Sequence, residues 1–224
     1  WTSNKEYDMY RHDYSVSNPT PNSDSSRLYD SNFYVMNSDF KVYICIENGS
    51  SGSNPKGNKS QDEPTFTDLE PSSAGTSGDG YVWKYLFSVS PSDIIKFDST
   101  EYIVVPNDWS TSTDSQIQNV REAGDSDINL NQLKAVYIDN AGNNYAHNQS
   151  EECNIVGDGT GAKALVTINS EKKIESVKIT AGGSGYTYGY VDLSPLRPSG
   201  HNSSSDAAKL IPIIPPAKGH GNDI

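Results

Sequence analysis

The sequence lacks a hydrophobic run long enough to cross a membrane as a helix, and it has few basic residues. No apolar segment approaches the roughly 18 residues that a transmembrane helix needs. The chain holds 17 Lys and Arg against 29 Asp and Glu, for a formal net charge of −12. A nucleic-acid-binding protein needs clustered positive charge to displace counterions from phosphates, and the basic residues here are dispersed. The sequence therefore excludes nucleic acid and anionic membranes as main partners.

Cysteine is scarce and histidine is scattered, although both are common metal ligands. The two cysteines, Cys45 and Cys153, lie in strand-like surroundings, which favours two buried thiols and leaves a disulfide open. No histidine lies at a metal-ligand spacing from another histidine or from a cysteine. The four histidines are His12, His147, His201 and His220. We expect no metal site and no cofactor.

Two short motifs resemble ligand-binding loops but lack residues that the chemistry requires. Residues 157–161 (GDGTG) have no Gly-Lys-Ser/Thr after them and precede a strand, whereas a phosphate loop leads into a helix amino terminus. We therefore expect a hairpin turn there. The second motif resembles the start of a calcium loop, but Leu130 stands where glycine is required and Val136 where a bidentate glutamate is required. Its alternating residues are Asp125, Asp127, Asn129 and Asn131. A solvated acidic loop is expected.

No catalytic constellation is visible. Ser184, in a glycine-rich setting, lacks the glycine spacing of a nucleophile elbow. With 29 carboxylates in the chain, no pair stands out for glycoside hydrolysis. We therefore predict that the protein is not an enzyme, with no catalytic, cofactor-binding or metal-binding residues.

What the sequence does contain favours a β framework with long polar loops. Its 224 residues suffice for one large all-β domain or two smaller ones. Only 33% are hydrophobic, but 14 Tyr, 5 Phe and 3 Trp supply large side chains for a core. The chain starts at Trp1 and stops at Ile224 without a terminating feature, so we expect it to be part of a longer polypeptide.

The most ordered stretch begins at residue 78. Residues 81–89 are apolar and aromatic with a single charge, which predicts a buried strand. Gly78 and Gly80 form a tight entry turn in which positive φ is available. After the strand, Ser90 caps a short helical turn, and residues 101–106 (EYIVVP) predict a second strand.

The preceding and following segments are less regular. Residues 33–36 and 40–46 predict a hairpin around a turn at 37–39. Residues 1–27 are polar with scattered tyrosines and predict an extended arm or loop. Residues 115–123 predict the one helix of any length, capped by Asp114 and ended by Gly124.

Residues 136–145 and 177–186 form an internal repeat at an offset of 41 residues, in which a strand runs into a Gly/Asn-rich turn closed by tyrosine. Evenly spaced strands around the repeat predict an inserted small β module over residues 132–194. We expect residues 1–131 and 195–224 to form the core domain, with 207–214 returning as a strand to the first sheet. The predicted fold class is mainly β: a layered antiparallel β-sandwich with long polar loops, one short helix and the inserted module.

Residues 78–87 (GDGYVWKYLF), followed by 101–106, resemble the baseplate wedge protein encoded by gene eight of T-even-type contractile-tailed phages. Residues 32–48 resemble the strand pair that precedes the family's variable loop, and residues 213–221 are similar to the ending of marine myophage relatives. The resemblance implies a structural subunit of the virion tail baseplate. Such a subunit links neighbouring wedge proteins, rearranges with them on tail contraction and forms a homodimer.

The resemblance implies that the chain functions through contacts made at its surface. We expect loops 47–59 and 107–115 and the inserted module to be the contact surfaces. Two other functions compete with this interpretation. A carbohydrate- or receptor-binding β module of a phage tail would show exposed aromatic rows on one sheet face. A hydrolase would show a cleft with two carboxylates of divergent pKa.

Overall fold

The computed structural model describes the chain except for residues 52, 100–101, 125–130, 147–148, 217–218 and 221–224. The chain forms two compact units. Unit 1 comprises Trp1–Gly49, Lys56–Asp125 and Pro216–Ile224, and unit 2 comprises Ser50–Pro55 and Ser126–Pro215. The sheets are antiparallel and the fold is mainly β, which confirms the predicted fold class.

Both units are built from short strands. The elements of unit 1 are β1 (Tyr34–Met36), β2 (Lys41–Asn48), β3 (Tyr81–Ser88), α1 (Pro91–Phe97) and α2 (Ser115–Gly124). The elements of unit 2 are β4 (Val136–Asn140), β5 (Ser150–Gly157), β6 (Thr160–Ile168), β7 (Ile174–Ser184), β8 (Gly189–Val191) and β9 (Lys209–Pro212). Short 3₁₀ turns occur at Leu28–Asp30 and Ser194–Leu196.

The sheet of unit 1 has the order β1-β2-β3, and the predicted hairpin and central strand are confirmed. The hairpin turn is held by the Asn37 side chain, whose Oδ1 accepts hydrogen bonds from the amides of Asp39 and Lys41 at 3.0 and 2.9 Å. Strand β3 is buried along nearly its whole length, and Trp83 is completely inaccessible. Burial of this aromatic strand is a large hydrophobic contribution to the stability of unit 1.

The amino-terminal segment also belongs to this core. Its backbone is irregular over residues 1–27, as predicted for a loop, but Tyr7, Tyr10 and Tyr14 are buried. The Tyr10 amide donates to the Cys45 carbonyl of β2 at 2.8 Å, and the Tyr7 ring meets Trp83 edge-on at 5.6 Å. The scattered tyrosines are therefore core residues without a helix or strand period.

The predicted helix over 115–123 is confirmed as α2, and Asp114 caps it by accepting from the Gln116 and Ile117 amides at 2.9 and 3.2 Å. The helical turn predicted after Ser90 is a seven-residue helix, α1, so two helices occur where one was expected. Ser90 caps α1 by accepting from the Asp93 amide at 3.2 Å. In both helices the cap satisfies a backbone donor that lacks an intrahelical partner.

The strand predicted over residues 101–106 is wrong for its described part. Residues 102–106 form no strand, although Tyr, Ile and Val dominate them. A strand is defined by a paired neighbour, and no described segment pairs with this one. High β-propensity is therefore not sufficient here, because a strand also needs a paired neighbour and none of the described segments supplies one.

Unit 2 contains a four-stranded sheet, order β7-β6-β5-β8, and the two-stranded sheet β4-β9. Side chains from both sheets share one hydrophobic core that includes Ile138, Cys153, Val166 and Val177. The prediction that residues 207–214 return to the first sheet is wrong. They contain β9, which pairs with β4 (Tyr137 opposite Ile211), because its apolar residues complete the core of unit 2. Unit 2 accordingly runs on to Pro215, beyond the end predicted for the inserted module at residue 194.

The internal repeat is a structural one. Gly142 and Gly183, 41 residues apart, both have positive φ (63° and 61°). Gly142 follows β4, and Gly183 lies next to the last residue of β7. A Cβ on Gly183 would lie 2.5 Å from the Thr160 oxygen and 2.6 Å from the Ala162 nitrogen. A Cβ on Gly142 would meet the backbone oxygen and nitrogen of two residues with the same spacing, at 2.6 and 2.7 Å. These two residues are Asp206 and Ala208. Each turn therefore packs in the same way against the start of its partner strand.

The tyrosines that close the two turns are equivalent as well. The Tyr186 hydroxyl accepts from the Ala162 amide at 3.2 Å and donates to the Ile155 carbonyl at 2.9 Å. The Tyr145 hydroxyl accepts from the Ala208 amide at 2.9 Å. Both tyrosine side chains are buried. Unit 2 is thus built from two copies of one strand–turn–tyrosine device.

Each copy of the repeat also accepts a backbone hydrogen bond from a residue near the start of the other copy. The Leu133 amide, ahead of β4, donates to the Gly182 carbonyl at 3.0 Å. The Ile174 amide, 41 residues further on, donates to the Ala141 carbonyl at 3.0 Å. This reciprocal exchange locks the two copies together, because neither turn satisfies its backbone groups alone.

Candidate interaction surfaces

The glycine-rich run at 157–161 is the hairpin turn between β5 and β6, as predicted. The Asp158 carboxylate in this turn accepts hydrogen bonds from the Thr187 hydroxyl and from the amides of Thr187 and Tyr188. These hydrogen bonds, led by that of the Thr187 side chain, lower the pKa of Asp158 to about 2. The turn therefore acts as an anchor for the segment that leads into β8.

Other residues that the sequence analysis considered as site candidates pair with a strand or pack against an aromatic ring. Ser184 lies at the end of β7 opposite Thr160, and Asn131 forms a parallel bridge to Gly183. The ring of His220 packs edge-on against Tyr10 in unit 1, at 4.6 Å between centroids. In unit 2 the His201 ring lies 4.7 Å from that of Tyr145. The predicted acidic positions Asp125, Asp127 and Asn129, and His147, lie outside the described residues.

The two thiols, Cys45 and Cys153, are buried and free. Burial raises the pKa of both, that of Cys153 to about 11 and that of Cys45 well above its ordinary value. A thiol with a raised pKa is a poor nucleophile because the thiolate is the reactive form. The alternative left open by the sequence, a disulfide, is not formed.

A polar groove of about 750 Å³ lies within unit 2. Two of its three carboxylates contact lysine side chains, Asp139 with Lys209 at 2.8 Å and Glu171 with Lys173 at 3.2 Å. Serine hydroxyls, asparagine amides and backbone line the rest, without histidine or cysteine. In the part of the chain that the structure describes, no group of three His, Cys, Asp or Glu side chains is placed to hold a metal ion. None of the described helices is long and apolar enough to span a membrane.

Apolar side chains stand out on the surface of unit 1. Ile95 and Phe97 of α1, which we call the α1 surface, are 86% and 62% exposed, and no residue of this helix is buried. A capped helix with two large apolar side chains in solvent is unusual unless another molecule covers it. The 102–105 segment follows, with Tyr102 75% and Val105 47% exposed.

A second exposed surface lies on unit 2. Tyr188 and Tyr190 are two residues apart at the edge strand β8, so their side chains project from the same side. Tyr190 lies directly opposite Val156 of β5, whose side chain is also exposed. We call Val156, Tyr188 and Tyr190 the tyrosine surface. The Asp158 anchor fixes the backbone beneath it.

The two loops expected to make contacts are well anchored. In loop 47–59 the buried Asn48 carbonyl accepts from the Asn58 amide at 2.8 Å, which closes the base of the loop. In loop 107–115 Trp109 is buried, and its carbonyl accepts from Arg121 of α2 at 2.9 Å. Large exposed apolar side chains lie instead on α1, in the 102–105 segment and at β8. Sequence reasoning missed α1 as a contact element, although the isoleucine and phenylalanine of a short capped helix were visible signals.

Comparison with known proteins identifies the family. The family model described as Bacteriophage T4, Gp8 matches residues 13–156, more than half of the chain. No curated protein and no solved structure matches the chain. The match includes the hairpin, β3 and α1, on which the sequence resemblance depends. The chain belongs to the Phage-Gp8 family of baseplate wedge proteins, structural components of the phage tail.

Proposed function

We propose that this chain links neighbouring proteins of the baseplate wedge and rearranges with them when the tail contracts. Family membership over residues 13–156 is the observation that carries the proposal. The exposed apolar residues support it, because they lie on a capped helix and beside an anchored edge strand. Little conformational entropy is lost at these elements on assembly, because the fold has already fixed their backbone.

We also infer that the protein acts as a homodimer, without enzymatic activity and without nucleic acid or membrane partners. The net charge of −12 opposes binding to phosphate-rich surfaces. Acidic copies repel one another at long range, so docking depends on uncharged, apolar patches. The α1 surface and the tyrosine surface are such patches.

Assembly in vitro tests the linking function. The two variants are Ile95→Ser/Phe97→Ser and Tyr188→Ser/Tyr190→Ser, each mixed with the co-expressed wedge proteins of the same phage. We expect at least one pair to reduce incorporation into wedges about tenfold or more, because a few apolar anchors dominate most interfaces. The matched control is Val16→Ser. The Val16 side chain is apolar and 89% exposed, and it belongs to neither of the two surfaces. Normal incorporation of both paired variants would overturn the proposal.

The tyrosine surface also favours a second candidate, a carbohydrate- or receptor-binding module. Two exposed tyrosines on one side of a β edge offer apolar ring faces together with hydroxyl groups. A glycan array distinguishes this function from protein docking. Binding that Tyr188→Ala/Tyr190→Ala abolishes, with normal wedge assembly, would favour carbohydrate recognition.

A further inference from the structure

The 102–105 segment has the composition of a strand, but no described segment pairs with it. Tyr102, Ile103, Val104 and Val105 are all strong β-formers. Pro106 confines Val105 to the extended region, because a residue before proline is disfavoured in the helical one. The structure nevertheless assigns no strand, helix or turn to these four residues.

The backbone of this segment makes one hydrogen bond to the described residues. The Tyr102 amide donates to the Ser99 hydroxyl at 3.0 Å. Across the residues that the structure describes, no hydrogen bond involves the backbone of Ile103, Val104 or Val105. Tyr102 and Val105 are exposed, and Ile103 and Val104 are partly so. Unpaired strand-forming backbone with exposed apolar side chains is a template for a strand from another molecule, because only a strand satisfies both the amides and the side chains.

We propose that this strand comes from a second copy of the same chain, so that two 102–105 segments form an antiparallel ribbon across a twofold axis. The inference rests on the proposed homodimer and names its interface. The segment carries no charge in a chain of net charge −12, so it is a place where two copies approach with little repulsion. Two antiparallel copies of the segment would also pair uncharged side chains with uncharged side chains, which suits a contact made by the same surface of both copies.

Symmetry and hydrogen-bonding capacity select the register. Directly opposed residues of an antiparallel ribbon point to the same face, and a twofold axis perpendicular to the ribbon keeps each residue on its face in both copies. Two opposed residues are therefore an even number of positions apart in the sequence, so the axis passes beside one residue, which lies opposite its own copy. Centring on Val104 places Ile103 opposite Val105 of the second copy and Tyr102 opposite Pro106. Pro106 has no amide hydrogen and the Tyr102 amide is already engaged, so these two form the non-hydrogen-bonded pair.

The ribbon is then held by Ile103 and Val105 alone. In each hydrogen-bonded pair the two residues exchange both N–H···O=C bonds, so the two pairs give four hydrogen bonds. The Val104 amide points away from the second copy. The ribbon therefore requires the Ile103 amide, which donates a hydrogen bond to the second copy, and does not require the Val104 amide.

Proline substitutions test this distinction. Sedimentation velocity over a range of concentrations would compare the unmodified chain, Ile103→Pro and the matched control Val104→Pro. Ile103→Pro removes one hydrogen bond per copy and should weaken dimerisation about 10- to 100-fold, whereas Val104→Pro should change it less than about twofold. Neither variant breaks a hydrogen bond within the described chain, so both should fold, which thermal denaturation checks.

Amide hydrogen exchange on the unmodified protein supplies a second readout that needs no variant. The Ile103 and Val105 amides should become protected as concentration rises, while the Val104 amide stays unprotected. A dimer that survives Ile103→Pro, or uniform exchange at all three amides, would overturn the ribbon and leave the homodimer standing. A protein that stays monomeric at every concentration would overturn both.

Discussion

Replacement of Gly183 by alanine tests the repeat architecture of unit 2. Two costs arise at this position. A non-glycine residue at φ near +60° costs roughly 1–2 kcal/mol. The new Cβ would also lie 2.5 and 2.6 Å from backbone atoms of Thr160 and Ala162, which cannot move aside as a flexible side chain can. Such overpacking costs typically about 1–3 kcal/mol, so we expect a total loss of about 2–5 kcal/mol.

Gly200→Ala is the matched control, because Gly200 lies in the same unit and also has positive φ (90°), but a Cβ added to it would have no atom within 4 Å. It carries the backbone cost without the steric one. Equilibrium urea denaturation, followed by circular dichroism, gives the free energy of unfolding of both variants. The difference between them, about 1–3 kcal/mol, measures the close approach of the turn to β6.

Gly142→Ala extends the test to the first copy of the repeat. Its Cβ would lie at nearly the same distances, 2.6 and 2.7 Å, from backbone atoms of Asp206 and Ala208. We therefore expect its loss to agree with that of Gly183→Ala within about 1 kcal/mol. Equal stabilities of Gly183→Ala and Gly200→Ala would refute the packing argument, and a neutral Gly142→Ala would refute the equivalence of the two turns.

Three other predictions concern single side chains. Tyr186→Phe removes a buried hydroxyl that accepts from the Ala162 amide and donates to the Ile155 carbonyl, so it should lower the free energy of unfolding by about 1–3 kcal/mol in the same urea assay. Asp158→Ala should lower the melting temperature at pH 7. The pKa of Asp158 in the folded state (about 2) is below its ordinary value of 3.8. The difference in melting temperature between the unmodified protein and the variant should therefore be fully present above pH 4, shrink as the pH falls and vanish below about pH 2. Cys45 and Cys153 should not react with Ellman's reagent until the protein unfolds, when two thiols per chain should appear; native reactivity would contradict their burial.

The sequence predicted most local elements but not all of their partners. The hairpin around Asn37, strand β3 and the caps at Ser90 and Asp114 depend on neighbours in sequence, so propensity and turn chemistry suffice. The pairing of β9 with β4 joins segments about 70 residues apart, and no local signal specifies it. The buried tyrosines of residues 1–27 lie in irregular backbone, where periodicity carries no information.

The contact surfaces were harder to predict than the fold. Loops 47–59 and 107–115 were chosen for their polarity, but their anchors, Asn48 and Trp109, are buried. Exposed apolar residues occur instead on α1, where the sequence predicted a short helical turn, and in residues 102–105, where it predicted a strand. A sequence pattern identifies apolar residues that favour burial, but it does not show whether they are buried by the same chain or by another molecule.

This last distinction matters for an assembly protein. A strand-forming segment such as 102–105 is a failed prediction when the chain is considered alone, since its backbone finds no partner among the described residues. The same observation is what an interface requires: exposed apolar side chains beside backbone amides that make no hydrogen bond to the described residues. In a protein of net charge −12, such uncharged segments are where association is least opposed. We therefore expect this chain to meet a second copy of itself at residues 102–105, where the sequence pattern and the fold disagree.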